Sequence, residues 1–126
     1  IQLFIPAFIL FLGISFFDPT YSQTIFFCED VDTDGYPINE SSVFTIPEEG
    51  GNLYVLVEMP FAIECHYVDL FIYHNGNYDN TIQLETELDW ESFWKDITFY
   101  KPGEYVIEIY DCFDDVLVKG KVKIIN

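Results

Sequence analysis

The chain has 126 residues, of which 22 are acidic and only five are lysines, for a formal net charge of −17 at pH 7. Half of it is hydrophobic and 19% is aromatic, so the acidity belongs to a chain that can pack a core rather than to a disordered one. So few cations exclude nucleic acid as a partner, because binding it rests on neutralising phosphates, and they disfavour anionic membrane surfaces for the same reason.

Ile1 to Phe17 carries no charge and is almost entirely apolar, the composition of a secretory h-region. Thr20 and Ser22 are small enough for the −3 and −1 sites of a signal peptidase, which places the cut after Ser22 and makes residues 1–22 a signal peptide. The lack of an initiator Met and of a basic n-region reads as a signal truncated at its start. A retained anchor is the rival reading; the run is short for a span and contains Pro6 and Gly13. Residues 23–126 then form one secreted, periplasmic or cell-surface domain with no further membrane contact. Export makes disulfide chemistry available to Cys28, Cys65 and Cys112. Phe27 stands where a lipobox needs a small residue, so Cys28 is not a lipidation site.

Beyond the signal, short strands alternate with turn chemistry, as in a sandwich or barrel. Thr24 to Asp32 is strand-like and runs into the turn Thr33-Asp34-Gly35-Tyr36-Pro37. Ser42 to Ile46 is a second short strand, and Pro47 to Asn52 a second turn. Leu53 to Glu58 alternates, with Leu53, Val55 and Val57 on one face. Tyr67 to His74 does the same, with Val68, Leu70 and Ile72 inside and Cys65, Tyr67, Asp69, Phe71 and Tyr73 outside. Asn75-Gly76-Asn77 closes it with a hairpin turn, and Thr81 to Thr86 is a short strand. Asp89 to Lys95 fits either a helical turn capped by Asp89 or a bulged strand leading into Ile97 to Tyr100. Glu104 to Asp111 and Val116 to Ile125 form a closing antiparallel hairpin around Cys112-Phe113-Asp114-Asp115.

Pro102-Gly103-Glu104-Tyr105-Val106-Ile107-Glu108-Ile109-Tyr110-Asp111 resembles the penultimate strand of Ig-like β-sandwich domains in secreted bacterial proteins, a match confined to the last quarter of the chain. The resemblance implies an all-β, antiparallel Ig-like sandwich of about seven strands, with Tyr105 as a tyrosine corner whose ring packs inward and whose hydroxyl meets a nearby backbone group. Ile107 stands where antibody domains carry a Cys, so their inter-sheet disulfide is not carried over. Fixing Tyr105, Ile107 and Ile109 inward turns Val106, Glu108, Tyr110 and Cys112 outward. On the last strand Val116, Val118, Gly120, Val122 and Ile124 then point in, leaving Leu117, Lys119, Lys121 and Lys123 out beside the acidic face of the neighbouring strand. In an Ig-like order the Tyr67 strand lies antiparallel to the Tyr105 strand, which implies a Cys65–Cys112 disulfide on the outer face and leaves Cys28 as the odd thiol.

Two segments are candidates for ligand chemistry. Asp30, Asp32, Asp34 and Gly35 resemble the start of an EF-hand loop, whose alternate carboxylates converge on Ca²⁺. The pattern fails at Pro37 and Ser41, so an Asp-Gly hairpin turn accounts for it as well. Trp90 and Trp94, with Phe93, Asp89, Glu91 and Asp96, offer an aromatic platform of the kind that stacks on sugar rings, against the ordinary reading of core or rim packing. His66 and His74 have no spaced partners and read as strand ends. Asn39-Glu40-Ser41 is a glycosylation sequon, meaningful in a eukaryotic secretory pathway. No triad, zinc set or phosphate loop is present. The expectation is a non-catalytic binding or structural module with an unidentified protein or carbohydrate partner and no cofactor beyond Ca²⁺. A calcium- or carbohydrate-binding module is the first alternative and a small carboxylate-based hydrolase the second.

Overall fold

In the computed structural model, which describes residues 23–126, the chain is all strand and turn. The signal or anchor expected over residues 1–22 lies outside the described residues. Among the described residues, no helix is long and apolar enough to cross a membrane. Ten strands follow in order: β1 Thr24–Cys28, β2 Asp30–Val31, β3 Pro37–Ile38, β4 Val43–Thr45, β5 Gly51–Glu58, β6 Tyr67–His74, β7 Asn77–Glu85, β8 Ser92–Phe99, β9 Gly103–Tyr110 and β10 Val116–Ile125. They make a three-stranded sheet, β1-β5-β8, and a five-stranded sheet, β4-β10-β9-β6-β7, with β2 and β3 as a small separate ladder. All pairings are antiparallel except β4 with β10, which is parallel. The result is an Ig-like sandwich with eight strands in its two main sheets.

The core follows from period-two alternation. Leu53, Val55 and Val57 of β5, Val68, Leu70 and Ile72 of β6, and Tyr105, Ile107 and Ile109 of β9 are all buried and belong to one apolar cluster. Each such side chain contributes ~1.5–3 kcal/mol by leaving water. The Tyr105 hydroxyl donates to the Lys101 carbonyl at 2.8 Å, four residues upstream, while its ring packs edge-on against Phe99. Gly120 lets the sheets close up, since a Cβ there would sit 2.7 Å from Cγ2 of Ile25 on β1. The β6–β7 connection is a two-residue turn, with Asn75 and Gly76 both at positive φ (51° and 86°) between the paired residues His74 and Asn77.

Three expectations need correction. The Asp89–Lys95 segment is neither a helical turn nor a strand throughout: residues 88–89 form a turn, and the strand starts at Ser92. On β10, Leu117 is buried (7% exposed) while Val116 points out (52%), because a register shift between Val116 and Val118 inverts the alternation at the start of the strand. Cys65 is not on an outer face. It is 1% exposed and part of the core cluster, because Glu64 adopts φ 55° just before it and Cys65 precedes the strand whose alternation was extrapolated to it. Strand β10 lies inside its sheet, between β9 and β4, with Val43 to Thr45 paired to Lys123 to Ile125. The lysine row does meet acid, however: Lys119 lies opposite Glu108, with Nζ 3.7 Å from its carboxylate.

A second buried patch lies on the far side of the three-stranded sheet. Leu56 and Cys28 are fully buried yet outside the main cluster, on the face turned away from it. The β2–β3 ladder contacts β5 and β1 and so covers this face. Cys28 is a free thiol with Sγ 3.8 Å from the Tyr54 carbonyl, and burial pushes it above its ordinary value of 9.0. The unfolded chain ionises this thiol first, so its contribution to stability is complete below about pH 9 and is lost as pH rises towards the folded-state value. We expect unfolding free energy from urea melts to decline above about pH 9, and the decline to be shallower in Cys28→Ala. A slope identical in the two proteins would show that the thiol is not held neutral by the fold.

Candidate functional site

The candidate site is a groove of about 670 Å³ beside β8, lined by Leu84, Asp89, Trp90, Glu91, Phe93 and Trp94 among others. It forms where the two sheets part. Strand β8 is one edge of the three-stranded sheet and β7 one edge of the five-stranded sheet, and neither has a neighbour on that side among the described residues. Leu84 comes from β7 and the remaining lining from the turn before β8 and from β8 itself. Alternation sets the roles on β8: Phe93 points into the core and is 3% exposed, so Trp94 points out and is 43% exposed. Trp90 is 38% exposed. Neither indole N–H meets an acceptor within the chain among the described residues.

Trp90 is held from behind by backbone. Its own N–H donates to the Glu87 carbonyl, closing a turn, and its carbonyl accepts from the Ile63 N–H at 2.8 Å. The same irregular ladder continues on both sides: Thr86 N–H to the His66 carbonyl, Glu64 N–H to Leu88, and Met59 N–H to Glu91. Segment 59–66 therefore scaffolds segment 86–91. That scaffold is itself anchored, because Cys65 is bonded to Cys112 at a sequence separation of 47. The Cys65 carbonyl accepts from the buried Thr86 hydroxyl, and Cys65 Sγ accepts from the Cys112 N–H at 3.1 Å. The disulfide thus lies two bonded contacts away from the groove, and the bridge expected from strand order is present although its outward placement is not.

The second candidate segment, Asp30 to Asp34, runs from β2 into the hairpin turn that leads to β3. Gly35 takes φ 85° and Asp32 Oδ1 accepts from the Asp34 and Tyr36 N–H groups at 2.9 Å each, while Asp30 Oδ1 accepts from the Val31 N–H. Asp111 organises the β9–β10 turn in the same way, accepting from Phe113 and Asp115. Among the described residues, no three acidic, His or Cys side chains are arranged to hold a metal ion, so Asp30, Asp32 and Asp34 do not form a preassembled cluster. The turn nonetheless comes up to one groove residue. A Cβ on Gly35 would lie 3.9 Å from Trp94 Cζ3, so the Asp32 and Asp34 turn sits beside the outward indole. Sequence reasoning treated the aspartates and the tryptophans as separate candidates, and the fold puts them side by side. It also missed Leu84, whose only signal was its alternation with Ile82 in a strand read as shorter than it is.

The two histidines stand apart from the groove. His74 stacks on Tyr105 at 4.5 Å between ring centroids, and its Nε2 lies 2.9 Å from the Pro102 carbonyl, which can only accept, so Nε2 carries the proton. Gly103 is packed so closely on this ring that a Cβ would fall 2.5 Å from Nε2, at a backbone φ of 139° that favours glycine.

No family model matches the chain, and no curated protein matches it. Among solved structures, the chain is similar to the CARDB domain of the PF1109 protein from Pyrococcus furiosus, a crystal structure described as a complex with di-metal ions. Identity is 12%, the TM-score is 0.44, and the match covers 83% of this chain and 96% of that one. The solution NMR structure of the same domain matches at 13% identity and a TM-score of 0.42, covering 82% of this chain and 94% of that one. The Ig-like assignment made above stands on this chain's own strand order and register.

Removing the bridge tests its place in this scaffold. A crosslink spanning 47 residues restricts the unfolded chain by about 4 kcal/mol in the loop-entropy account. Urea melts of the Cys65→Ala, Cys112→Ala double variant are expected to show a loss of about 2–4 kcal/mol, and a loss below about 0.5 kcal/mol would contradict the structural role given to the bridge.

Proposed function

We propose that this chain is a secreted or surface-exposed, non-catalytic binding module that takes a carbohydrate in the groove beside β8. The observation that carries the reading is that Trp90 and Trp94, both substantially exposed, share one groove with Asp89, Glu91 and Ser92. Large aromatic side chains in a small sandwich belong in its core, and leaving two indoles in water forgoes the burial that makes them worth carrying. An indole face is a flat apolar platform that matches the C–H face of a sugar ring. Carboxylate and hydroxyl oxygens beside it accept from, or donate to, ring hydroxyls. Sites of this kind combine mostly apolar walls with a few placed polar groups. The disulfide fits an exported protein.

A second reading has one observation in its favour, the open edge of β8. An extended peptide could add to that edge through backbone hydrogen bonds, with its side chains in the same groove.

Intrinsic tryptophan fluorescence titrated with a panel of soluble oligosaccharides separates the two. The carbohydrate reading expects saturable quenching with at least one oligosaccharide and about a tenfold or greater loss of affinity in Trp94→Ala. Because Trp94 is outward-facing, the variant's melting temperature should change little. Affinity unchanged in both Trp94→Ala and Trp90→Ala, or binding of extended peptides with none of the oligosaccharides, would overturn it.

A further inference from the structure

The groove's charge narrows its ligand. We propose that it selects a glycan bearing free primary amines, an amino-sugar chain in its protonated form, over neutral or acidic glycans; the proposal rests on the carbohydrate reading above. Asp89 and Glu91 flank Trp90 directly in sequence, both line the groove, and no basic side chain lines it. On the other side of the site, the turn carrying Asp32 and Asp34 comes up to Trp94 at Gly35. Asp89 and Glu91 thus place two carboxylates in the same groove as the exposed indoles. Lys95, next to Trp94 in the chain, has its ammonium 3.9 Å from the Asp96 carboxylate rather than in the groove lining.

An ammonium group is the ligand feature that gains from every part of this arrangement. Over an indole face it is attracted by the ring quadrupole, and Trp is the strongest of the aromatic side chains in this respect. Next to carboxylates it forms charge-assisted hydrogen bonds, shorter and stronger than neutral ones. At longer range a chain of net charge −17 draws cations and repels anions, an effect screened beyond about 8 Å at physiological salt. A neutral sugar of the same shape keeps the stacking and loses the rest, while a uronic or sulfated sugar meets like charge. Specificity therefore comes from attraction for one class and repulsion of another.

The test uses isothermal titration of residues 23–126 with three hexasaccharides: fully deacetylated glucosamine, its N-acetylated counterpart, and a neutral glucan, at a pH where the free amine is protonated. The deacetylated chain is expected to bind at least about tenfold more tightly than the other two, with an affinity that falls as salt is raised. The variant Asp89→Asn, Glu91→Gln should lose about tenfold for the deacetylated chain alone. Asp114→Asn, Asp115→Asn, which removes the same charge from the β9–β10 turn, should leave that affinity unchanged. Equal binding of all three sugars would overturn the charge selectivity and leave a carbohydrate groove standing; binding of none of them would remove both. Hexalysine binding as tightly as the glucosamine hexamer, or equal losses in the two double variants, would show attraction by net charge and overturn the inference.

Discussion

The Cys65–Cys112 bridge is the constraint on which the rest of the molecule leans. It joins the entry of β6 to the exit of β9, the paired strands that carry Val68, Leu70, Ile72, Ile107 and Ile109 into the core. A small domain buries a smaller share of its surface than a large one, so an additional crosslink weighs heavily in its balance. The bridge also fixes chain outside regular strands. Segment 59–66 has no long strand partner of its own, and it holds its course because Cys65 is tied down and its backbone pairs with segment 86–91. The groove is built on the second of those segments. Stability and site geometry therefore share one covalent bond.

The two sheets treat their outer faces differently. On the three-stranded sheet, the β2–β3 ladder folds over Cys28 and Leu56 and turns a solvent face into a second small core, and its turn brings Gly35 up to Trp94. On the five-stranded sheet no strand among the described residues covers the outer face, and its aromatics pack on one another, as Phe71 does edge-on against Tyr110 at 5.1 Å. Charge is partitioned in the same way. The lysines of β10 lie on the five-stranded sheet, whereas the groove on the opposite edge is lined by carboxylates. Three of the five lysines thus lie on β10, across the five-stranded sheet from the β7 edge that borders the groove.

Where one local rule governed, the sequence was readable. Tyr67 to His74 and Gly103 to Tyr110 alternate strictly, so their inward residues could be read from the sequence, while the antiparallel pairing that brings Cys65 to Cys112 was implied by the resemblance to Ig-like sandwiches. What escaped notice depended on a local break or on distant chain. Glu64 at positive φ sends Cys65 inward, and the register shift near Val116 buries Leu117; neither leaves a mark in the hydrophobic pattern. Leu56 did leave one, since Leu53 to Val57 is continuously apolar, the pattern of a strand covered on both faces. The meeting of Gly35 with Trp94 had no sequence signal, because it arises from how a hairpin drapes over a sheet. Of the site, the two tryptophans were legible as unusual residues, and their shared groove was not.

Amide hydrogen exchange on the intact and selectively reduced protein tests the central claim, that the bridge holds the groove-bearing segment through residues 59–66. Reduction is predicted to lower protection at Ile63, Glu64, Thr86 and Trp90, whose N–H groups make the scaffold's hydrogen bonds, while Leu70 and Ile107 in β6 and β9 remain protected. Unchanged protection at Thr86 and Trp90 after reduction would contradict the account and leave the groove as a feature of the β7 and β8 edges alone.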